Sequence, residues 1–245
     1  MASKPHTDEV HRKQRVIKNP IKFKITLNEE QKDAKAKILE NTITMLAGKA
    51  GSGKTLLAVQ VALDGLLRRH YEKIIITRPT VSKEEIGFLP GDLREKMDPW
   101  VQPIYQNFFA LYDKAKIEKL INDGKIEIVP VSFMRGRTFM DSMIIVDEAQ
   151  NVTHEQMEMI TSRIGLRSKM IICGDAHQTD LKKKADSGFK FLYTAARKIK
   201  NLEAITLQTN HRDSIVEDLL KYYQEAIDKG ISITTSGSYI YNNKN

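Results

Sequence analysis

Eight residues around position 50 combine the types needed to hold a phosphate chain: Gly48-Lys49-Ala50-Gly51-Ser52-Gly53-Lys54-Thr55. The order is glycine, four residues, then Gly-Lys-Thr. Gly48, Gly51 and Gly53 permit backbone angles and close approach that a side chain would block. The N–H groups of Ala50, Gly51, Ser52 and their neighbours then turn inward on phosphate oxygens. A helix beginning near Lys54 would point its positive end at the same oxygens. Lys54 supplies a point charge for β- and γ-phosphates, and the Thr55 hydroxyl a ligand for Mg²⁺.

A second cluster completes that chemistry. Met143-Ile144-Ile145-Val146 reads as a buried strand that ends in Asp147-Glu148. Ligands of open α/β sheets bind at the carboxyl ends of the strands. Asp147 there would hold Mg²⁺, with Thr55 or through water, and Glu148 would orient or deprotonate a water. Alone, such a pair is equally how a helix starts, with Glu148 near an N-cap; beside the loop at 48–55 the catalytic reading is preferred. Further on, Cys173-Gly174-Asp175-Ala176-His177-Gln178 ends another apolar run. Gln178 is a candidate sensor, because an amide can contact both a γ-phosphate and a water. An aspartate-capped turn is the alternative. Gln31 lies about one helix before the loop and is a candidate for adenine, whose N6/N7 edge a glutamine matches.

These side chains need a sheet to hold them. Apolar runs rich in β-branched residues recur at Ile43–Ala47, Lys73–Thr77, Ile126–Val129, Met143–Val146, Met170–Cys173 and Ala204–Leu207. Several are apolar on consecutive residues, as a strand buried on both faces requires. Helical spacing fills Leu56–Arg69, Thr153–Ile164 and Ser214–Ile227. The expected fold is therefore α/β, a mostly parallel sheet between helices. Residues 78–125 exceed an ordinary crossover and predict a helical insertion with a structured loop beside the site. The tail after Gly230 predicts a short strand or a disordered end.

Composition bounds the reading. The chain has 245 residues, 41% hydrophobic and 29% charged, enough for one sizeable core but not for two motor domains. No run approaches the roughly 20 apolar residues that span a bilayer, and the N-terminus lacks the apolar block of a signal peptide. The single Cys173 excludes an internal disulfide and a cysteine zinc cluster. A cytoplasmic protein is expected. The net charge is +8, and residues 1–25 carry seven basic against two acidic residues, +5 of that excess. This arm either attracts a polyanion, nucleic acid being the commonest, or is a solvated extension. The organisation expected is arm 1–25, one domain 26–230 and tail 231–245.

The motifs taken together resemble a known family. Gly48–Thr55, Gly87-Phe88-Leu89-Pro90-Gly91-Asp92, Met134-Arg135-Gly136-Arg137-Thr138, Asp147-Glu148-Ala149-Gln150-Asn151 and Ile164-Gly165…Gly174-Asp175…Gln178 are similar to the PhoH-like ATPases from about residue 26 to 216. That family resembles the first motor domain of superfamily 1 helicases. The resemblance implies a RecA-like core, Mg²⁺-dependent ATP hydrolysis and, for some members, RNA binding or unwinding. It also implies that Gln31 reads adenine, that Thr77-Arg78-Pro79-Thr80 touches a nucleic-acid backbone, and that Gln178 is the third-motif glutamine. Where the family often reads Val-Arg-His, this chain has Asn210-His211-Arg212.

A superfamily 1 helicase closes its site with an arginine from a second motor domain, yet about 29 residues follow Val216 here. The expectation is slow hydrolysis, or an arginine supplied by a neighbouring copy in a head-to-tail ring, a hexamer being favoured. Candidates are Arg163, Arg167 and, ranked first, Arg212. Single-stranded nucleic acid would meet basic and aromatic side chains, with Arg78, Lys83, Arg135 and Arg137 as contacts and Phe88, Phe133 and Phe139 of suitable type. Phe133 and Phe139 are equally candidates for the core. The leading reading is an ATP-driven enzyme acting on RNA or single-stranded DNA. The alternative is an ATP-gated nucleic-acid scaffold without unwinding. A kinase or nuclease ranks last, for want of a lid-like arginine segment or a further acidic cluster.

Overall fold

The computed structural model describes residues 21–79, 93–175, 181, 186–228, 231–233 and 239–241. Residues 1–20 of the basic arm, Lys83, Phe88, the 87–92 motif up to Asp92, and Gln178 lie outside the described residues.

Six strands form one parallel sheet: β1 (Ile43–Ala47), β2 (Lys73–Thr77), β3 (Ile126–Ile128), β4 (Ser142–Val146), β5 (Lys169–Gly174) and β6 (Leu202–Thr206). They lie in the order β3-β2-β4-β5-β1-β6. The register pairs Met45 with Ile172 on one side and with Ala204 on the other. All six apolar runs read from sequence became these strands, which is the expected α/β sheet between helices.

The consecutive apolar residues have the predicted cause. In β4, Met143 and Ile145 point into one core and Ile144 and Val146 into the other. In β5, Ile171 and Cys173 face the first and Met170 and Ile172 the second. The first face is covered by α1 (Glu29–Glu40), α2 (Lys54–Leu67), α3 (Leu93–Leu111) and α4 (Lys114–Asn122). The second is covered by α5 (His154–Thr161) and α6 (Gly188–Ala195). The predicted insertion in 78–125 thus supplies α3 and α4. Phe139 is buried in the second core, whereas Phe133 is exposed.

After β6 the chain enters α7 (Ser214–Asp228) and then β7 (Ile231–Ile233), which pairs antiparallel with β8 (Tyr239–Tyr241) apart from the main sheet. In the tail expected as a strand or a loose end, the described residues form these two short antiparallel strands. Among the described residues no helix is long and apolar enough to cross a membrane.

Strand order fixes where the site lies. β5 stands between β1, which carries the 48–55 loop, and β4, which carries Asp147 and Glu148. Neighbouring strands are about 4.8 Å apart, so the loop and the acidic pair face each other across one strand width on either side of β5.

Candidate functional site

The loop after β1 is built around glycine geometry. Gly51 has φ 93° and Gly53 φ 79°, both in the left-handed region. A Cβ on Gly51 would stand 2.6 Å from Asn210 Oδ1, and one on Gly53 2.9 Å from Gln31 Nε2. The left-handed backbone disfavours a side chain at both positions, and one there would also displace the Asn210 or Gln31 side chain.

Gly53 is also the N-cap of α2, and it makes no side-chain cap; the first turn holds no acidic residue. By contrast α1 and α5 close their N-termini with capping boxes, Asn28 with Gln31 and Thr153 with Gln156. The first N–H groups of α2 are left for an anion to satisfy.

The side chains at this end converge. Lys54 Nζ donates to the carbonyls of Gly48 at 2.7 Å and Lys49 at 2.9 Å, folding its charge into the loop. Thr55 Oγ1 donates to Asp147 Oδ1 at 2.7 Å, although 92 residues separate them. Asp147 is buried, and burial pushes its carboxyl up, helped by the nearby Glu148 and opposed by the Thr55 hydroxyl and Arg78. Two hard oxygens, one from the first turn of α2 and one from just past the end of β4, form a donor set that suits Mg²⁺, which binds proteins through one or two carboxylates plus substrate phosphates. The Thr55–Asp147 contact therefore fits the expected metal. Among the described residues no group of three or more His, Cys, Asp or Glu side chains would hold a metal by itself.

A cleft of about 340 Å³ opens over these groups. Its lining includes Ala50, Gly51, Gly53, Lys54 and Thr55 from the loop, Asp147 and Glu148 from β4, and Pro103 and Asn107 from α3. Cys173 lies on its floor, and burial raises that thiol well above its ordinary value, so it stays neutral. Glu148 adopts φ 50° and ψ 38°. Its Oε2 accepts from Gln150 Nε2 at 2.6 Å, and Arg78 Nη2 stands 3.5 Å from its Oε1. Gln150 in turn accepts from the Asp175 N–H at 3.0 Å, tying the ends of β4 and β5 together.

A strap from Gln208 to Arg212 wraps the loop. The carboxylate of Glu30 accepts from the Gln208 N–H at 2.6 Å and the Thr209 N–H at 3.1 Å. The His211 N–H donates to the Gly51 carbonyl at 3.1 Å, and His211 Nε2 lies 3.3 Å from Gln31 Nε2. Gln31 thus sits behind Gly53, with its Oε1 accepting from the Asn28 N–H, and is outside the cleft lining.

The other sequence candidates are scattered by the fold. Arg78, expected on nucleic acid, lines the nucleotide cleft. Arg212, expected to serve a neighbouring copy, lines the cleft of its own chain, its Cγ and Cδ against Gly51. Arg163 donates to the Met159 and Arg137 carbonyls, and Arg167 forms two 2.7 Å bonds to Asp141. Both stand near the amino ends of β4 and β5, opposite the cleft. Arg137 makes a two-pronged ion pair with Glu127 and lies over the Phe139 ring, while Arg135 is exposed. Sequence reading missed Glu30, Asn107 and Asn210. Glu30 carried only the local signature of a first helical turn, and its partners are 178 and 179 residues away.

The parallel sheet, the glycine loop at the carboxyl end of β1 and the paired Thr55 and Asp147 define a P-loop nucleotide-triphosphatase domain. The family model described as "PhoH-like protein" matches residues 24–224, and the chain belongs to this family. It is 42% identical over 201 residues to the PhoH-like protein of Bacillus subtilis, covering 81% of this chain and 62% of that one. With the PhoH-like protein of a Synechocystis strain it shares 39% identity over 193 residues, 78% of this chain and 58% of the relative. The chain therefore spans about three fifths of the length of these relatives. Among solved structures it is similar to the Pif1 helicase from Candida albicans at TM-score 0.44 and 18% identity, covering 80% of this chain and 44% of that chain.

Proposed function

We propose that this protein hydrolyses ATP with Mg²⁺ and couples the reaction to binding or remodelling RNA or single-stranded DNA. The single observation that carries the reading is the 2.7 Å contact between Thr55 and Asp147 beneath an uncapped helix N-terminus. It brings a phosphate cradle and a metal-type donor set to one point.

In this reading the N–H groups of residues 50–55 and the Lys54 ammonium bind the β- and γ-phosphates. Thr55 and Asp147 hold Mg²⁺, which when bound neutralises charge on the phosphate oxygens. Glu148 accepts a proton from water. The water oxygen bonds to the γ-phosphorus as the bond to the β,γ-bridging oxygen breaks, and ADP leaves with that electron pair. Arg212 reaches the same cleft from its own strap, which supports a role in cis, with Arg163 and Arg167 as the arginines a neighbour would offer. Gln31 selects the base from the far side of Gly53, and Gln178 senses the γ-phosphate. Arg78, Lys83, Arg135 and Arg137 contact the strand. A ring, with a hexamer favoured, would bring the amino edge of one copy to the carboxyl edge of the next. A nucleotide-gated scaffold that binds a strand without unwinding it is the second reading; the Arg78–Glu148 pair favours it, because a guanidinium beside the carboxylate competes with water for it.

ATP turnover with and without RNA and single-stranded DNA tests this. Wild type should turn over ATP, and Lys54→Ala should lose about 100-fold or more, as loss of electrostatic stabilisation in such sites does. Equal turnover in the variant removes the P-loop assignment. Strand displacement with ATP, but not with a non-hydrolysable analogue, separates remodelling from scaffolding.

A further inference from the structure

Each carboxylate oxygen of Glu148 has a neighbouring donor, Gln150 at 2.6 Å and Arg78 at 3.5 Å, which competes with a water for it. The Glu148 backbone is left-handed, a conformation that non-glycine residues keep only where surroundings over-determine it. Both carboxylate oxygens face partners on the cleft wall. Gln150 donates to one at 2.6 Å and is itself buried, with its own oxygen on the Asp175 N–H and its carbonyl on the Ser187 hydroxyl. That amide is a fixed clamp.

Arg78 is a different kind of partner. Its root is fixed, because the Thr77 carbonyl accepts from the Asp147 N–H at 2.8 Å and Thr77 registers with Val146. Its tip is not. The 3.5 Å separation from Glu148 Oε1 is longer than an ordinary N–H···O bond, and the side chains are 26% and 42% exposed. Pairs of this kind hold weakly. A guanidinium binds phosphate through two parallel bonds, so a phosphate outcompetes a single carboxylate oxygen at that distance.

We propose that Arg78 is a positioning residue that keeps Glu148 turned to the wall, and that a backbone phosphate of a bound single strand withdraws it. Withdrawal frees one carboxylate oxygen to take the proton of the attacking water, so strand binding is what starts turnover. The inference rests on the ATPase reading above and adds the coupling between the two ligands.

The test compares wild type, Arg78→Gln and Arg78→Lys in steady-state ATP turnover, with and without a homopolymer RNA and a single-stranded DNA oligonucleotide. Binding of a fluorescent ATP analogue checks that each variant is folded. Arg78→Gln should raise strand-free kcat several-fold with KM for ATP little changed, and strand stimulation should fall towards none. Arg78→Lys, which keeps the charge but not the fork, should lie between. A strand-free kcat at or below wild type overturns the proposal, because Arg78 then assists the chemistry or the nucleotide's own phosphates already release it. A raised kcat with undiminished stimulation overturns the strand as the releasing ligand. Wild type with no ATP turnover fails the ATPase reading and this inference together, whereas an active wild type beside an unresponsive Arg78→Gln fails this inference alone.

Discussion

Thr55 and Asp147 meet at 2.7 Å, and the neighbouring carboxylate of Glu148 has its oxygens on Gln150 and near Arg78 in the cleft wall. Adjacent acids past one strand end therefore sit in different surroundings, set by burial. Asp147 is 6% exposed and locked to the loop, while the Glu148 side chain is 42% exposed. Glu148→Gln removes the proposed base but keeps the shape. It should bind an ATP analogue within a few-fold of wild type while hydrolysis falls by about 10²–10⁴, the range general-base catalysis supplies. Analogue-binding titration beside a turnover assay checks both halves, and retained turnover would place the base elsewhere. The Gly-Lys-Thr signature and the Asp-Glu pair were legible because each is contiguous in the chain. The Arg78–Glu148 pair was not, since its partners lie 70 residues apart, just past the ends of adjacent strands β2 and β4.

The elements divide the work between a rigid sheet and a strap that the sheet does not hold. After β6 the chain is tied over the phosphate loop by Glu30 of α1, which accepts from Gln208 and Thr209, and by the His211 N–H on Gly51. Burial favours the neutral form of that carboxyl. The N–H groups of Gln208 and Thr209, the Thr209 side chain and the charge of His211 outweigh burial and lower its pKa below the ordinary 4.5. A carboxyl depressed by folding stabilises fully above its ordinary pKa, and the contribution fades as pH falls through the lower folded value. Glu30→Ala should cost about 1 kcal/mol, or about 2–4 °C in melting temperature, near neutral pH. The gap should close as melts are taken to progressively lower pH below 4.5. A gap that stays constant across that range would show that the strap is held by something other than the carboxylate. Helical stretches were readable from apolar spacing, as at Leu56–Arg69, which became α2, whereas the capping box that joins Asn28 to Gln31 was seen only in the structure. The strap was not, because neither end of it carries a local pattern.

Across the whole molecule, the site faces the carboxyl edge of the sheet while Arg163 and Arg167 stand at the amino edge. A head-to-tail neighbour is the arrangement that brings those edges together. Mixing inactive Lys54→Ala with an Arg163→Ala or Arg167→Ala variant should restore part of the ATPase activity if that arginine acts in trans. Mixing with Arg212→Ala should restore none, since Arg212 lines its own cleft. Recovery with Arg212→Ala instead would show that its strap serves a neighbour. Nucleic-acid affinity should fall steeply with salt, because basic side chains release counterions from the strand. Replacing exposed Arg135 by alanine should lower the slope of log K against log salt by about 0.7, the single-strand value per phosphate contact. An unchanged slope would remove Arg135 from the interface.

By itself the amino-acid sequence determined the α/β alternation, all six strands of the main sheet and the phosphate loop, because burial on both faces and glycine-dependent backbone turns leave marks on neighbouring residues. Tertiary structure alone decided which strand separates loop from acids, that Arg212 returns to its own cleft, and that Arg78 reaches Glu148. Those outcomes depend on strand order and crossover paths, which bring together residues 70 to 180 positions apart without any local pattern to announce it.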